Sequence, residues 1–269
     1  MKKIYSYFVW GLKISVNAPS LGILLFKTMV KRRFCSNDKS VQICIGTHHK
    51  VLTVLFARIF RVFAATTFRT YSLGRGSELD LKKDILIDHH SEFEFSKLQK
   101  LICGLHVRRD PRDLLVSAAF YHMKSSEKWL SIVDEKYGNI SYQEYTNSLP
   151  NMESRLLFEL DNSAGKNIRD IVEWKGHMDI CELKYEDLVA SNGIEVFKSH
   201  IQKWPIQSYE KELIVKLFSF FSLSGPGAKM AGKHIRNAKS GQWQVHITKA
   251  VDVKFNSLFP KALEKLGYK

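Results

Sequence analysis

Short apolar runs alternate along the chain with stretches whose apolar positions return every three or four residues. Ser40 to Gly46, Thr66 to Ser72, Asp84 to Asp88, Lys100 to Val107 and Met178 to Leu183 have the length and β-branched character of buried strands. Helical spacing predicts helices over Thr53 to Ala65, Pro111 to Met123, Ser154 to Leu160 and Asn167 to Trp174. Strands alternating with helices predict an α/β fold, a central parallel sheet flanked by helices and joined by right-handed crossovers. After Asp187 the pattern is mostly helical, through "GIEVFKSHIQKW", "SYEKELIVKLFSFFS" and Asp252 to Leu266. Between these helices lies "SGPGAKMAGKHIRNAKSGQWQVHIT", a connection long enough to expect function from it. Without repeats or low-complexity tracts, residues 40–269 read as one domain and 1–39 as an N-terminal segment.

That segment, "MKKIYSYFVWGLKISVNAPSLGILLFKTMVKRRF", is apolar and basic. Lys13, Asn17 and Pro19 interrupt it well short of the ~20 apolar residues of a membrane-spanning helix. A helix that docks on the fold or lies on a membrane surface is the expectation; a signal peptide ending near "NAPS" is the alternative. The working location is cytoplasmic, peripheral to a membrane if the segment binds lipid. Lys and Arg outnumber Asp and Glu by 41 to 27, a formal net charge of +14 that favours anionic ligands. No nucleic-acid-binding motif accompanies that charge, so nucleic acid is not an expected partner. The cysteines (Cys35, Cys44, Cys103, Cys181) lack C-x-x-C spacing, and most sit in apolar runs, where a reduced thiol acts as a small hydrophobe.

In α/β sheets, ligands gather beyond the C-terminal strand ends. The polar clusters here fall at those places: Gly46-Thr47-His48-His49-Lys50, Asp88-His89-His90, Arg108-Arg109-Asp110 and Lys184-Tyr185-Glu186-Asp187. Asp110 suits an N-cap and Pro111 the first helical position, so Arg109 precedes a helix N-terminus that already favours an anion. Ser117 returns to nearly the same helix face as Asp110. Together Arg109 and Ser117 suit a phosphate; the plainer reading pairs Arg109 with a carboxylate and leaves Ser117 incidental.

"RRDPRDLLVSAAFYH" resembles the 3′-phosphate-binding segment of the sulfotransferases that use 3′-phosphoadenosine 5′-phosphosulfate (PAPS), R-[DN]-P-x-D-x-x-x-S followed by Tyr-His. "GTHHKVLTVLF" resembles their 5′-phosphosulfate loop, "LKYEDL" their Tyr-Glu-Asp segment near the adenine, and "IRNAKSGQWQVHIT" their closing R-K-G-x-x-G-x-W loop. The resemblance covers about Ser40 to Lys269. It implies a P-loop-like sulfotransferase fold with PAPS as co-substrate; a metal is not expected, because His48 and His49 lack third and fourth ligands nearby in the sequence. It places Gly46, Thr47, His48, His49, Lys50, Thr53 and Val54 at the phosphosulfate, and Arg109 and Ser117 at the 3′-phosphate. Tyr185 falls near the adenine, and Arg236, Asn237 and Ala238 in the closing loop. The sequence departs from the family at Leu52, where the loop carries glycine, at Val54 and Leu55, and at Asn237 and Ala238.

Sulfuryl transfer needs charge neutralised on the leaving oxygen, for which Lys50 stands in place, and a base for the acceptor's proton. The resemblance puts that base at His89 or His90, and spacing alone does not choose between them. Gly138 to Asn167, with Tyr142 and Tyr145, is where the family's architecture places the acceptor pocket. The expected reaction moves a sulfuryl group to a hydroxyl or amine of a glycan, lipid or small molecule. The altered loop motivates a second reading, a nucleotide- or polyanion-binding protein of this fold that has lost turnover. A kinase or ATPase would need G-x-x-x-x-G-K-[ST], which "GTHHKVLT" lacks.

Overall fold

The computed structural model describes residues 14, 16–34, 39–228 and 239–269. Its strands are β1 (Val41–Gly46), β2 (Tyr71–Gly74), β3 (Ile85–Asp88), β4 (Leu101–Arg108), a short hairpin of β5 (Val133–Asp134) and β6 (Ile140–Ser141), and β7 (Ile180–Lys184). The helices that matter below are α1 (Pro19–Phe34), α2 (Thr53–Thr67), α3 (Pro111–His122), α4 (Tyr142–Ser148), α5 (Met152–Asp161), α6 (Ser163–Val172), α7 (Tyr185–Val189), α8 (Gly193–Ile201), α9 (Ser208–Phe221), α10 (Trp243–His246) and α11 (Lys249–Leu258). The fold is the expected α/β class, a five-stranded sheet of order β2-β3-β1-β4-β7 with flanking helices. The chain groups into two compact units, one of Met1–His48, Leu52–Val107 and Gly176–Ala238, the other of His49–Val51, Arg108–Lys175 and Lys239–Lys269.

The first unit carries the sheet. β1 pairs in parallel with β3 and β4, placing Gly46 beside both Asp88 and His106. Every residue of β1 and β3 is buried, as expected of parallel strands covered on both faces. Against the sheet helices, Phe197 of α8 stacks on Phe218 of α9 at 4.1 Å, and Phe56 of α2 packs on both. Each such ring, fully buried, is worth about 1.5–3 kcal/mol relative to exposure. Arg32 of α1 and Arg69 both reach the buried Glu210 of α9, at 3.4 and 3.1 Å. Removing Glu210 would strand two guanidinium groups, which makes the triad strongly destabilising to break.

One strand was expected too early. Thr66 and Thr67, expected to begin a strand, close α2 instead, because their hydroxyls donate to the carbonyls of Val62 and Phe63 at 2.8 and 2.7 Å. That back-bonding lets β-branched threonines finish a helix. Phe68, at φ 53°, stops it, and β2 begins only at Tyr71. Cys44 and Cys103 are buried, and burial pushes both thiols up, Cys44 to about 12.

In the second unit α3, α5 and α6 pack together, with α11 on α5. Its centre is polar: His122 Nδ1 donates to Glu159 Oε1 at 2.6 Å, both side chains fully buried. Around that pair Trp129, Tyr137, Tyr142, Tyr145 and Phe158 pack in edge-to-face and tilted contacts with centroids 4.9 to 5.8 Å apart. Thus Tyr142 and Tyr145, expected beside an acceptor, pack against neighbouring rings. Among the described residues no helix is long and apolar enough to cross a membrane.

Candidate functional site

In the first unit the site is the junction of β1, β3 and α2. Thr47 N–H donates to the Asp88 carbonyl at 2.9 Å, joining the two strand ends. The Asp88 carboxylate accepts the N–H groups of Gly76, His90 and Glu92 at 2.8 to 3.0 Å, winding residues 89–92 into a tight turn. Burial pushes the Asp88 carboxyl above the usual carboxylate range, and those three donors offset part of the rise. Ser91, at φ 58°, folds back to donate to the Thr47 carbonyl at 3.1 Å. Gly46 suits this packing: a Cβ there would lie 2.8 Å from Ser91 Oγ and 3.2 Å from the Phe93 ring, so both side chains would have to shift.

His48 turns inward. Its side chain is fully buried and its Nε2 lies 2.8 Å from Nε2 of His106, so one ring donates and the other accepts. Burial drives the His48 pKa well below the usual histidine value, and nearby His106 and His90 lower it further. The imidazole is neutral at pH 7, which leaves the backbone of His48 as its means of meeting a ligand. Thr53, first residue of α2, donates to the His48 carbonyl at 2.7 Å, tying the two ends of the turn. Leu52 precedes it at φ 58°, ψ 17°. The glycine-like conformation is present although glycine is not, at a strain of about 1–2 kcal/mol. Val54 is exposed just beyond.

His89 and His90 lie half-buried at the end of β3. Burial lowers the His89 pKa, with Asp88 opposing and His90 and Arg61 adding to the fall. Tyr185 is buried at the start of α7.

In the second unit, segments remote in sequence meet around α3. Asp110 caps the helix, accepting from Arg112 N–H at 2.9 Å. Arg109, buried just before that cap, donates through Nη1 to the Lys50 carbonyl at 3.1 Å. Lys50 itself is left-handed (φ 65°), and its Nζ sits 3.6 Å above the centroid of Tyr121 of α3. Next to it the His49 ring stacks on His122 at 5.4 Å and meets Tyr121 edge-on at 5.3 Å. One turn into α3, the buried Asp113 accepts from the N–H groups of Gly241 and Trp243 at 2.6 and 2.9 Å. The Arg112 guanidinium lies 3.6 Å over the Trp243 ring and donates to the Lys269 carbonyl at 2.7 Å. Ser117 follows Asp113 by four residues and so shares its helix face.

No protein-family model matches the chain, and no curated protein matches it in sequence. Its three-dimensional structure does find a likeness. The crystal structure of mouse sulfotransferase SULT7A1 complexed with PAP superposes with a TM-score of 0.51 at 16% identity, covering 84% of this chain and 85% of that one. The fold is a sulfotransferase fold.

Within this sulfotransferase fold, one unit gathers His49, Lys50, Arg109 and Ser117 on or beside α3, and the other gathers Gly46, Thr47, His48, Thr53, His89 and His90 at strand ends. Arg236, Asn237 and Ala238 lie outside the described residues. The geometry adds residues that sequence reasoning passed over. Asp113 and Arg112 grip the C-terminal loop at Gly241 and Trp243; Asp113 is the second acidic position of the R-[DN]-P-x-D-x-x-x-S pattern, but nothing in "RDPRDLLVS" gives it or Arg112 a partner. His106 gave no signal, being one polar residue inside an apolar strand.

Proposed function

We propose that this chain is a sulfotransferase that moves a sulfuryl group from PAPS to a hydroxyl or amine acceptor. The observation that carries the reading is the bond from Arg109 to the Lys50 carbonyl. It joins the loop and helix segments that resemble the donor's two phosphate sites, at a helix N-terminus suited to an anion. The PAP held by the mouse sulfotransferase, the product PAPS leaves behind, agrees with this donor. The residues present fit such a ligand: Arg109, Lys50 and the α3 N-terminus supply positive charge, and Ser117 a hydroxyl.

PAPS supplies an activated sulfuryl group whose S–O bond to phosphate breaks as the acceptor oxygen or nitrogen attacks in line. In this reading Lys50 swings from Tyr121 to neutralise the leaving phosphate oxygen, and the N–H groups before α2 hold the remaining charge. His89 or His90 takes the acceptor proton, and a pKa held down by burial keeps His89 in the basic, proton-accepting form at neutral pH. Arg109 fixes both the 3′-phosphate and, through the Lys50 carbonyl, the loop that carries the electrophilic lysine.

Transfer of labelled sulfate from PAPS to a panel of phenols, amines and glycans, alongside calorimetric PAP binding, tests the proposal. Lys50→Ala is expected to lower kcat by about a hundredfold or more with PAP still bound, and Arg109→Ala to weaken PAP binding at least about tenfold. PAP binding without transfer to any acceptor would favour the non-catalytic reading; no PAP binding would refute the sulfotransferase and leave only the polyanion-binding form of the second reading.

A further inference from the structure

α1 touches the first unit with one side only. Leu21, Leu25, Thr28 and Arg32 are buried there, Arg32 through Glu210. At 3.6 residues per turn the diametrically opposite stripe falls at positions 23, 26 and 30. On a helix covering a soluble fold these positions should be polar. They are Ile23, Phe26 and Val30, exposed by 56%, 68% and 41%, with Met29 beside them and Val16 in line one step upstream. Lys27 and Lys31 flank the stripe along one edge, and Arg33 stands at its C-terminal end, all exposed.

We propose that this face of α1 docks on a phospholipid bilayer carrying anionic lipid. An apolar stripe bordered by lysine and arginine is the pattern of a helix lying in the headgroup plane, apolar side chains in the acyl boundary and cations at the phosphates. The chain upstream adds Lys2 and Lys3, with Tyr5, Tyr7, Phe8 and Trp10, residue types favoured at the membrane interface. The patch suits a membrane better than a second copy of the chain. One helix stripe of a few side chains falls well short of the ~800 Å² per partner that a stable dimer buries. The helix is held down rigidly by the Arg32–Glu210 pair, so the stripe is presented ready-made and needs no unfolding to insert.

Co-sedimentation of the full chain with phosphatidylcholine vesicles, with and without phosphatidylserine, tests this without reference to any catalytic activity. The wild type is expected to pellet with phosphatidylserine-containing vesicles, less with phosphatidylcholine alone, and to be released as salt rises. Ile23→Asp with Phe26→Asp should lower partitioning at least about tenfold. Lys27→Glu with Lys31→Glu should lower it about tenfold on anionic vesicles only. Circular dichroism should not change in either variant, and the melting temperature should hold for the aspartate pair, whose exposed positions face away from the unit; Lys31, 4.7 Å over the Tyr209 ring, allows the glutamate pair a small loss. A wild type that stays in the supernatant, or a double aspartate variant that pellets like the wild type, overturns the proposal. So does a wild-type dimer in sedimentation velocity that the same variant dissociates, which would assign the face to self-association.

Discussion

Replacing Leu52 by glycine and by alanine should give the reverse of the usual ranking. In ordinary backbone, glycine is less stable than alanine by about 0.4–1 kcal/mol, because the unfolded chain gains freedom. Leu52 has φ 58° and ψ 17°, where an L-residue with a Cβ is strained by about 1–2 kcal/mol. Both substitutions remove the same half-buried leucine side chain, so that loss cancels between them. Alanine keeps the strain and glycine releases it. Subtracting the middle of the entropic penalty from the middle of the strain leaves Leu52→Gly more stable than Leu52→Ala by about 0.8 kcal/mol, or ~2–3 °C in Tm for a chain of this size. Paired thermal and urea unfolding of the two variants would measure it. PAP affinity should differ little between the wild type and Leu52→Gly, since the loop already holds the conformation glycine would permit. If alanine equals or exceeds glycine in stability, the left-handed geometry at this turn is wrong, and with it the claim that the loop keeps its shape without glycine.

Asp113→Ala should cost about 1–3 kcal/mol, since it strips two half-buried N–H groups of their acceptor, and should speed proteolysis within residues 239–243. Asp113→Asn, which keeps an acceptor oxygen, should recover part of that loss. His48 is neutral when folded and titrates normally when unfolded, so the unfolded state binds the extra proton as pH falls below about 6.5. Stability should therefore be complete above that pH and decline beneath it, with a slope of up to about 1.4 kcal/mol per pH unit from this group. His48→Gln should flatten the decline in denaturant titrations between neutral and mildly acidic pH; an unchanged slope would show that His48 is not buried uncharged. Glu159→Ala, by leaving His122 alone in the core of the second unit, should destabilise by about 3–5 kcal/mol, measurable as a lowered urea midpoint.

Much of the fold was readable because its sheet is buried on both faces, so β1, β3 and β4 appear as predominantly apolar runs, broken inside only at Gln42 and His106. Thr66 and Thr67 misled because their composition is that of a strand, while the hydrogen bonds that make them helical run to carbonyls four residues back. The β5–β6 hairpin has strands too short to show any alternation. At the site, the residues at strand ends and the N-cap of α3 carried local signatures. Asp113 did not disclose its partners, which lie 128 and 130 residues further on and leave no trace in the local pattern. Leu52 stands where the family's loop carries glycine, yet the turn imposes the left-handed dihedrals on it regardless. The strain is small beside the packing of α2 and the Thr53 bond that fix the turn.

The way the chain visits its two units bears on how it comes to be folded at all. Three residues, His49 to Val51, are lent to one unit by a chain otherwise occupied with the other, and Lys239–Lys269 returns after an excursion of more than sixty residues, Gly176–Ala238. A ribosome releasing this polypeptide from its N-terminus therefore exposes α3 long before its binding partners at Gly241 and Trp243 exist. The aromatic cluster beside it, Trp129 to Phe158, follows at once, but Arg112 and Asp113 must wait for Trp243 and Gly241 while the intervening strand and helices are made. Such distant closures slow folding and leave apolar surface open to other chains. Cutting the gene between residues 108 and 239 would yield two fragments, neither holding a complete unit. Complementation by mixing separately made halves, and early chaperone engagement during synthesis, are the behaviours that this threading leads one to look for.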